Sequence, residues 1–272
     1  MKKILCPTDF TDAGNNAIAF AAKLAQKAGL HLDLINVQSL AAQTPEGALM
    51  GEEINAQMAY DRLEAISRDT SRIFKISCNA RVATSITGIS NMIEREASGY
   101  ALIVMGTHGE DSLYDFFFGS HAYHVAKHTS LPVIVVPFGC VYANIGKSVF
   151  AYDYWRNNTL PHEQIGNVLQ SLESELIVLQ VLEKSYSERA ELEMKGDQQM
   201  ILEAFGNQLP ISFDSIHTDH IADALDHYMK ENKADLLVLC TQHQSFIDRL
   251  FHKSVIRQMS RIATYPLMVV HR

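Results

Sequence analysis

Short apolar runs alternate along the chain with longer stretches in which apolar residues return every third or fourth position. The first pattern is that of a strand buried on both faces, the second that of an amphipathic helix. In the first half the runs predict strands near Lys2 to Cys6, His31 to Val37, Lys75 to Ala83, Ala101 to Met105 and Pro132 to Val136. The stretches between them predict helices around Ala13 to Lys27, Glu53 to Phe74, Ile86 to Ala97 and Ser120 to His128. The second half repeats the strands near Lys147 to Tyr152, Glu175 to Val181, Ile211 to His217, Asp235 to Leu239 and Pro266 to His271. Alternation of strand and helix predicts an α/β fold, with a doubly wound parallel sheet of five strands in each half.

The two halves read as copies. One gapless shift lays Asp235-Leu-Leu-Val-Leu-Cys240-Thr241 on Ala101-Leu-Ile-Val-Met-Gly106-Thr107, and Tyr265-Pro266-Leu-Met-Val-Val270 on Leu131-Pro132-Val-Ile-Val-Val136. At the front of the copies Asp153 answers Asp9 at a larger shift, so the first copy carries about ten extra residues, expected in a loop over Ala41 to Gln57. The reading is two domains, 1–140 and 146–272, joined by a linker over Phe138 to Gly146, and 272 residues suit two domains of ordinary size.

Chemistry concentrates at one joint of the first copy. Gly106-Thr-His-Gly109, nine further residues and then Gly119-Ser120 connect the end of an apolar strand to the start of a helix. Glycines directly after a strand let the backbone turn with positive φ and leave no Cβ between the peptide groups and a ligand. The free N–H groups and dipole of the following helix favour an anion, and Ser120 adds a hydroxyl donor. In an open α/β sheet ligands sit beyond the carboxyl ends of the strands where the connections diverge, here between the first and fourth strands.

Charge and composition narrow the partners. A net charge of −8 without a basic cluster argues against a nucleic-acid surface. No apolar stretch reaches the ~18 residues of a membrane span, and Met1-Lys-Lys-Ile-Leu-Cys-Pro-Thr-Asp9 turns polar too soon for a signal sequence, so a cytoplasmic protein is expected. Cys6, Cys78, Cys140 and Cys240 lack C-x-x-C spacing and read as free, buried thiols.

The spacing G-x-x-G-x9-G-S, the Val-Met before it, Leu131-Pro-Val-Ile-Val-Val136 after it and Lys3-Ile-Leu-Cys-Pro7-Thr8-Asp9-Phe10 at the front together resemble the universal stress protein (UspA) family. That resemblance implies an adenine nucleotide alpha hydrolase-like fold with strand order 3-2-1-4-5, and ATP or a related adenine nucleotide as ligand. Carried over, Pro7, Thr8 and Asp9 match the family's turn around adenine and ribose, and Val37 the residue that lines the base. Met105 and Gly106 match the ribose floor. His108, Gly109, Gly119 and Ser120 match the phosphate arm, with His121 and Ala122 opening the helix behind it. Glu110, Asp111 and Asp115 depart from the small or basic residues of many members: they would repel a triphosphate unless Mg²⁺ bridges the two or the loop faces away.

The second copy has lost most of this pattern and is read as degenerate. Cys240, His243 and Lys253 stand where Gly106, Gly109 and Gly119 do, Ala151 and Tyr152 replace Pro7 and Thr8, and Ser254 alone keeps its place in the phosphate arm. Side chains at the glycine positions would crowd a phosphate, although Lys253 could serve another anion. Asp153 survives, as a lone carboxylate that could equally cap a helix.

Other motifs are set aside. Gly146-Lys147-Ser148 looks like the end of a Walker A loop but lacks its partner glycine and precedes a strand. His121, His124 and His128 share a helix face without a matching acid or cysteine, and His217 and His220 sit close together after a strand, so no metal site is expected. Phe116-Phe-Phe118 is read as packing the loop onto the sheet. The leading reading is a tandem stress-response or regulatory module that binds nucleotide in its first half, without assigned catalytic residues. A scaffold without nucleotide and a slow ATP hydrolase are the alternatives. An apolar strand closing each half, Leu131 to Val136 and Tyr265 to Val270, predicts an intramolecular pseudo-dimer. Pairing of whole chains into a homodimer would then use other surfaces.

Overall fold

A computed structural model describes residues 3–39, 48–107, 120–152, 160–182, 189–240 and 264–270. It divides into two compact units, Met1–Tyr142 and Ala143–Arg272. The first runs β1 (Lys3–Pro7), α1 (Asp12–Ala28), β2 (His31–Ser39), α2 (Ala48–Phe74), β3 (Cys78–Ser85), α3 (Ile89–Glu96), β4 (Leu102–Gly106), α4 (Ser120–His128) and β5 (Val133–Val136). The second runs β6 (Lys147–Tyr152), α5 (His162–Leu172), β7 (Glu175–Leu182), α6 (Arg189–Phe205), β8 (Ile211–His217), α7 (Ile221–Glu231), β9 (Leu236–Cys240) and β10 (Leu267–Val270).

Strands lie in the order β3-β2-β1-β4-β5 in the first unit and β10-β9-β6-β7-β8 in the second, the same 3-2-1-4-5 order by position in each copy. Neighbours pair in parallel, with Lys3 beside His31, Ile4 beside Leu102 and Ile103 beside Val133 in the first unit. The repetition reaches individual hydrogen bonds. Ala101 N–H donates to Lys3 O at 2.8 Å and Asp235 N–H to Lys147 O at 2.8 Å; Ile103 N–H donates to Pro132 O and Leu237 N–H to Pro266 O. Right-handed crossovers then place α1 and α2 on one face of the first sheet and α3 and α4 on the other. The central strands are buried throughout, as their apolar runs require, whereas β3 and β8 alternate between covered and open positions.

Of the segment expected to form a loop, Ala41 to Gln57, residues 41–47 lie outside the described residues and the rest does not form one. Helix α2 has 27 residues where α6 has 17, and it begins at Ala48, so 48–57 are helical. Alanine, leucine, methionine and glutamate in this segment are good helix formers, and they outweigh its single glycine.

Helix α1 shows why its residues are small. Thr11 caps it, its hydroxyl accepting from Gly14 N–H at 3.1 Å, and Gly29 ends it with φ 65°. Ala13, Ala17, Ala21 and Ala25 recur every fourth position and are all buried, which lets the helix lie close on the sheet. On β2, Asp33 is buried among Asn79, Lys3 and Tyr100, which donate to it at 2.7, 2.9 and 2.8 Å. Burial pushes its pKa up, but these three hydrogen bonds and the Lys3 charge outweigh that and hold the carboxyl below its usual range.

Candidate functional site

At the carboxyl ends of β1 and β4 the first unit opens into a cleft. Pro7, Thr8 and Asp9 line it from the end of β1, Val37 from β2, Met105 and Gly106 from β4, and His121 from the first turn of α4. Segments more than a hundred positions apart in sequence thus meet in one concavity, where the first and fourth strands send their connections to opposite faces. His108, Gly109 and Gly119 lie outside the described residues, as do Glu110, Asp111, Asp115, the Phe116–Phe118 run and the side chain of Ser120.

Each wall has a local cause. The turn after β1 is held by its own side chains. Phe10 N–H donates to Thr8 Oγ1 at 3.1 Å, and Asp9 Oδ1 accepts from both Thr11 N–H at 3.1 Å and Thr11 Oγ1 at 2.6 Å. Phe10 sits at φ 66°, an uncommon conformation for a non-glycine residue, with the Arg62 guanidinium 4.6 Å from its ring centroid. Gly14, in the first turn of α1, closes this cluster: a Cβ there would lie 2.9 Å from Asp9 Oδ1 and from Thr8 Oγ1.

Gly106 meets a packing constraint that its motif does not show. It is the extended last residue of β4 and is absent from the positive-φ glycines, so it makes no left-handed turn. A Cβ at this position would lie 2.5 Å from Ala13 O. The glycine therefore admits the backbone of α1, and the close approach is between two parts of the protein.

Several lining residues escaped the sequence reading. Asn36 is buried and donates from Nδ2 to Thr8 O at 2.8 Å, tying β2 to the turn, while Gln38 donates to its Oδ1. Ile35, Ile89 and Ile93 give the cleft an apolar side, and Gly14 and Thr107 complete its polar end. A polar residue flanked by Ile35 and Val37 in a strand buried on both faces was the available signal for Asn36; nothing local marks the isoleucines as different from core. Helices α3 and α4 are linked at the cleft by Ser90 Oγ and His121 Nδ1, 3.1 Å apart. One turn further on, Glu94 of α3 meets His124 Nδ1 at 3.1 Å, so the acid missing from the histidine face in sequence is supplied by the neighbouring helix.

In the second unit Tyr152 stands at the position of Thr8. It is buried, its ring stacked on Phe150 with centroids 6.0 Å apart. Residues 153–159 and 241–263, with Asp153, His243, Lys253 and Ser254, lie outside the described residues. The Walker-like Gly146 and Lys147 donate both backbone N–H groups to Asp235 Oδ2 at 2.9 Å, a strand-joining role that leaves neither for a phosphate. None of the four cysteines is in a disulfide; Cys6 and Cys140 are buried, Cys78 and Cys240 partly covered. Burial pushes the Cys140 thiol up to about 11, and burial likewise takes Cys78 to about 11, with the Asp33 charge also raising it and a Ser67 hydrogen bond opposing. No described helix is long and apolar enough to cross a membrane.

The fold is shared along almost the whole chain with a universal stress protein from Archaeoglobus fulgidus, at TM-score 0.73 and 16% identity over 99% of this chain and 98% of that one. A Pseudomonas aeruginosa protein described as a universal stress protein aligns over 100% of this chain and 93% of its own, at TM-score 0.58 and 13% identity. No curated protein matches the chain. The model of the universal stress protein family matches residues 1–137 and again 163–271. With that match in both copies and the same five-strand order in each, the chain belongs to the universal stress protein family as a tandem member.

Proposed function

We propose that the first unit binds an adenine nucleotide, ATP or a close relative, in the cleft at the ends of β1 and β4, and that the protein works as a stress-response module through binding. The observation that carries this is the convergence on one cleft of Pro7, Thr8, Asp9, Val37, Met105, Gly106 and His121 from four separate segments. The residues present fit such a group. Ile35, Val37, Ile89 and Ile93 offer an apolar surface for a flat base, and Thr8 and Asp9 offer polar atoms beside it. Asp9 Oδ2 has no hydrogen-bond partner among the described residues, which suits a ribose hydroxyl. No Lys or Arg is among the described lining residues, so phosphate would rest on backbone N–H groups, the start of α4 and a divalent cation such as Mg²⁺.

Binding rather than turnover is the proposed output. Asp9 and His121 are the titratable residues of the described lining; Asp9 Oδ1 is engaged by Thr11 and His121 Nδ1 by Ser90, and the remaining Asp9 oxygen is the one assigned to a ribose hydroxyl.

Calorimetric titration of the full chain with Mg·ATP tests the proposal. One site is expected, and Gly109→Asp should abolish it by adding bulk and negative charge to the phosphate arm while the fold survives. Affinity within twofold of wild type in that variant would remove the site from consideration. Mass spectrometry of ligand released on heat denaturation would identify the nucleotide carried from the cell.

A further inference from the structure

Outside the cleft, the faces of α3 and α4 bring together three side chains that are common metal ligands. Glu94, His124 and His128 each offer a ligand atom, and these atoms lie within 4.8 Å of one another. Among the described residues no other group of three has this property. His124 and His128 stand on successive turns of α4 with ring centroids 4.3 Å apart. Glu94 reaches them from α3, its Oε1 3.1 Å from His124 Nδ1.

We infer that Glu94, His124 and His128 form a binding site for a divalent transition-metal ion of the zinc class. The ring orientation of His128 is the first argument. Its Nδ1–H donates to His124 O at 2.9 Å, a backbone contact that fixes the tautomer and leaves the lone pair on Nε2, the form in which a metal-ligating histidine is usually held. The second is spacing. Ligand atoms of a tetrahedral zinc ion, each ~2.0 to 2.1 Å from the metal, stand roughly 3.3 Å apart. Glu94 and His124 are already at 3.1 Å, and all three ligand atoms lie within 4.8 Å, so a small adjustment of the exposed His128 side chain brings them to that spacing. The third is chemistry. Two imidazoles and one carboxylate suit zinc, and with three protein ligands a fourth position stays open to water.

The site staples α3 to α4 one turn away from the cleft. Ile93, next to Glu94, and His121, one turn before His124, both line the nucleotide cleft, while none of the three ligands does. A metal here would hold two cleft walls in register without touching the nucleotide, and the inference does not depend on what the cleft binds.

Titration of the chelator-treated, dialysed full chain with zinc chloride, followed by calorimetry, tests the site. One zinc per chain with micromolar affinity is expected, and both His128→Ala and Glu94→Gln should weaken it at least ~10-fold. His128 is exposed and Glu94 half-buried, and circular dichroism melting in the absence of zinc checks that each variant folds as wild type does. His227→Ala, which removes an exposed His227–Glu231 pair 3.0 Å apart on α7, should leave the titration unchanged. Absence of stoichiometric zinc binding by the wild type, or affinity within twofold of wild type in either ligand variant, overturns the inference.

Discussion

Replacing Gly106 by alanine separates two explanations of the same glycine. If the residue were needed for a left-handed turn, alanine would suffer a backbone penalty and asparagine, which tolerates that region, would suffer less. In the structure the residue is extended, so alanine meets no backbone penalty, and the whole effect comes from a Cβ placed 2.5 Å from Ala13 O and 2.9 Å from Ala13 C. Ordinary contact begins near 3.4 Å, so the first turn of α1 must retreat by roughly 1 Å. Neighbouring Ala17 already lies 3.4 Å from the same point, so the helix cannot escape by sliding along its own axis. Overpacking of this kind costs about 1 to 3 kcal/mol, which for a unit of this size lowers the melting temperature by ~2 to 12 °C. Asparagine, being larger, should be worse than alanine. Differential scanning calorimetry of the full chain, with the transition of the first unit followed separately, measures both. An alanine variant that melts within about 1 °C of wild type, or an asparagine variant more stable than the alanine one, would refute the packing argument.

Three further outcomes follow from groups described above. Asp33 has a folded pKa below its unfolded value, so its contribution is fully present above about pH 4 and is lost as pH falls through the lowered folded value. Asp33→Asn should therefore be less stable than wild type in urea at pH 7, and the two curves should converge in strong acid; a pH-independent gap would rule this out. If Glu110, Asp111 or Asp115 lies near a bound triphosphate, chelating Mg²⁺ should sharply weaken ATP in calorimetry and leave AMP almost unchanged, whereas equal effects on both would place the carboxylates elsewhere. Cys78 and Cys140, with thiols pushed up to about 11, should resist iodoacetamide at pH 8 in the folded chain, and rapid labelling of either on a peptide map would contradict their burial.

Periodicity carried the architecture well because burial on both faces leaves an unambiguous apolar run at β1, β4 and β5, and because each pattern occurs twice. It failed where local preference and loop composition compete. Residues 48–57 look like a connector by their glycine and polar content, yet they continue α2. Gly106 was legible as a residue that must be glycine, but the identity of the atom approaching it depends on how α1 lies across the sheet. Spacing could place His124 and His128 on one face. It could not show that Glu94, from another helix, would meet them, since that contact exists only once both helices dock on the same side. Asn36 was passed over for a similar reason: its bond to Thr8 O joins strands that are distant in sequence.

The aromatic pair at the end of β6 bears on how the two halves diverged after duplication. A single reversal of Tyr152 to the threonine of the first copy would not reopen a cleft cleanly, because Tyr152 is only 4% exposed and its ring packs on Phe150. Removing such a ring forfeits buried area and leaves a void, a loss of about 3 to 5 kcal/mol that selection would resist before any ligand could compensate. The substitution therefore works as an evolutionary ratchet. Once the ring became part of the core, a return to the threonine of the first copy would come at a loss of stability, so this position of the second copy is held by packing.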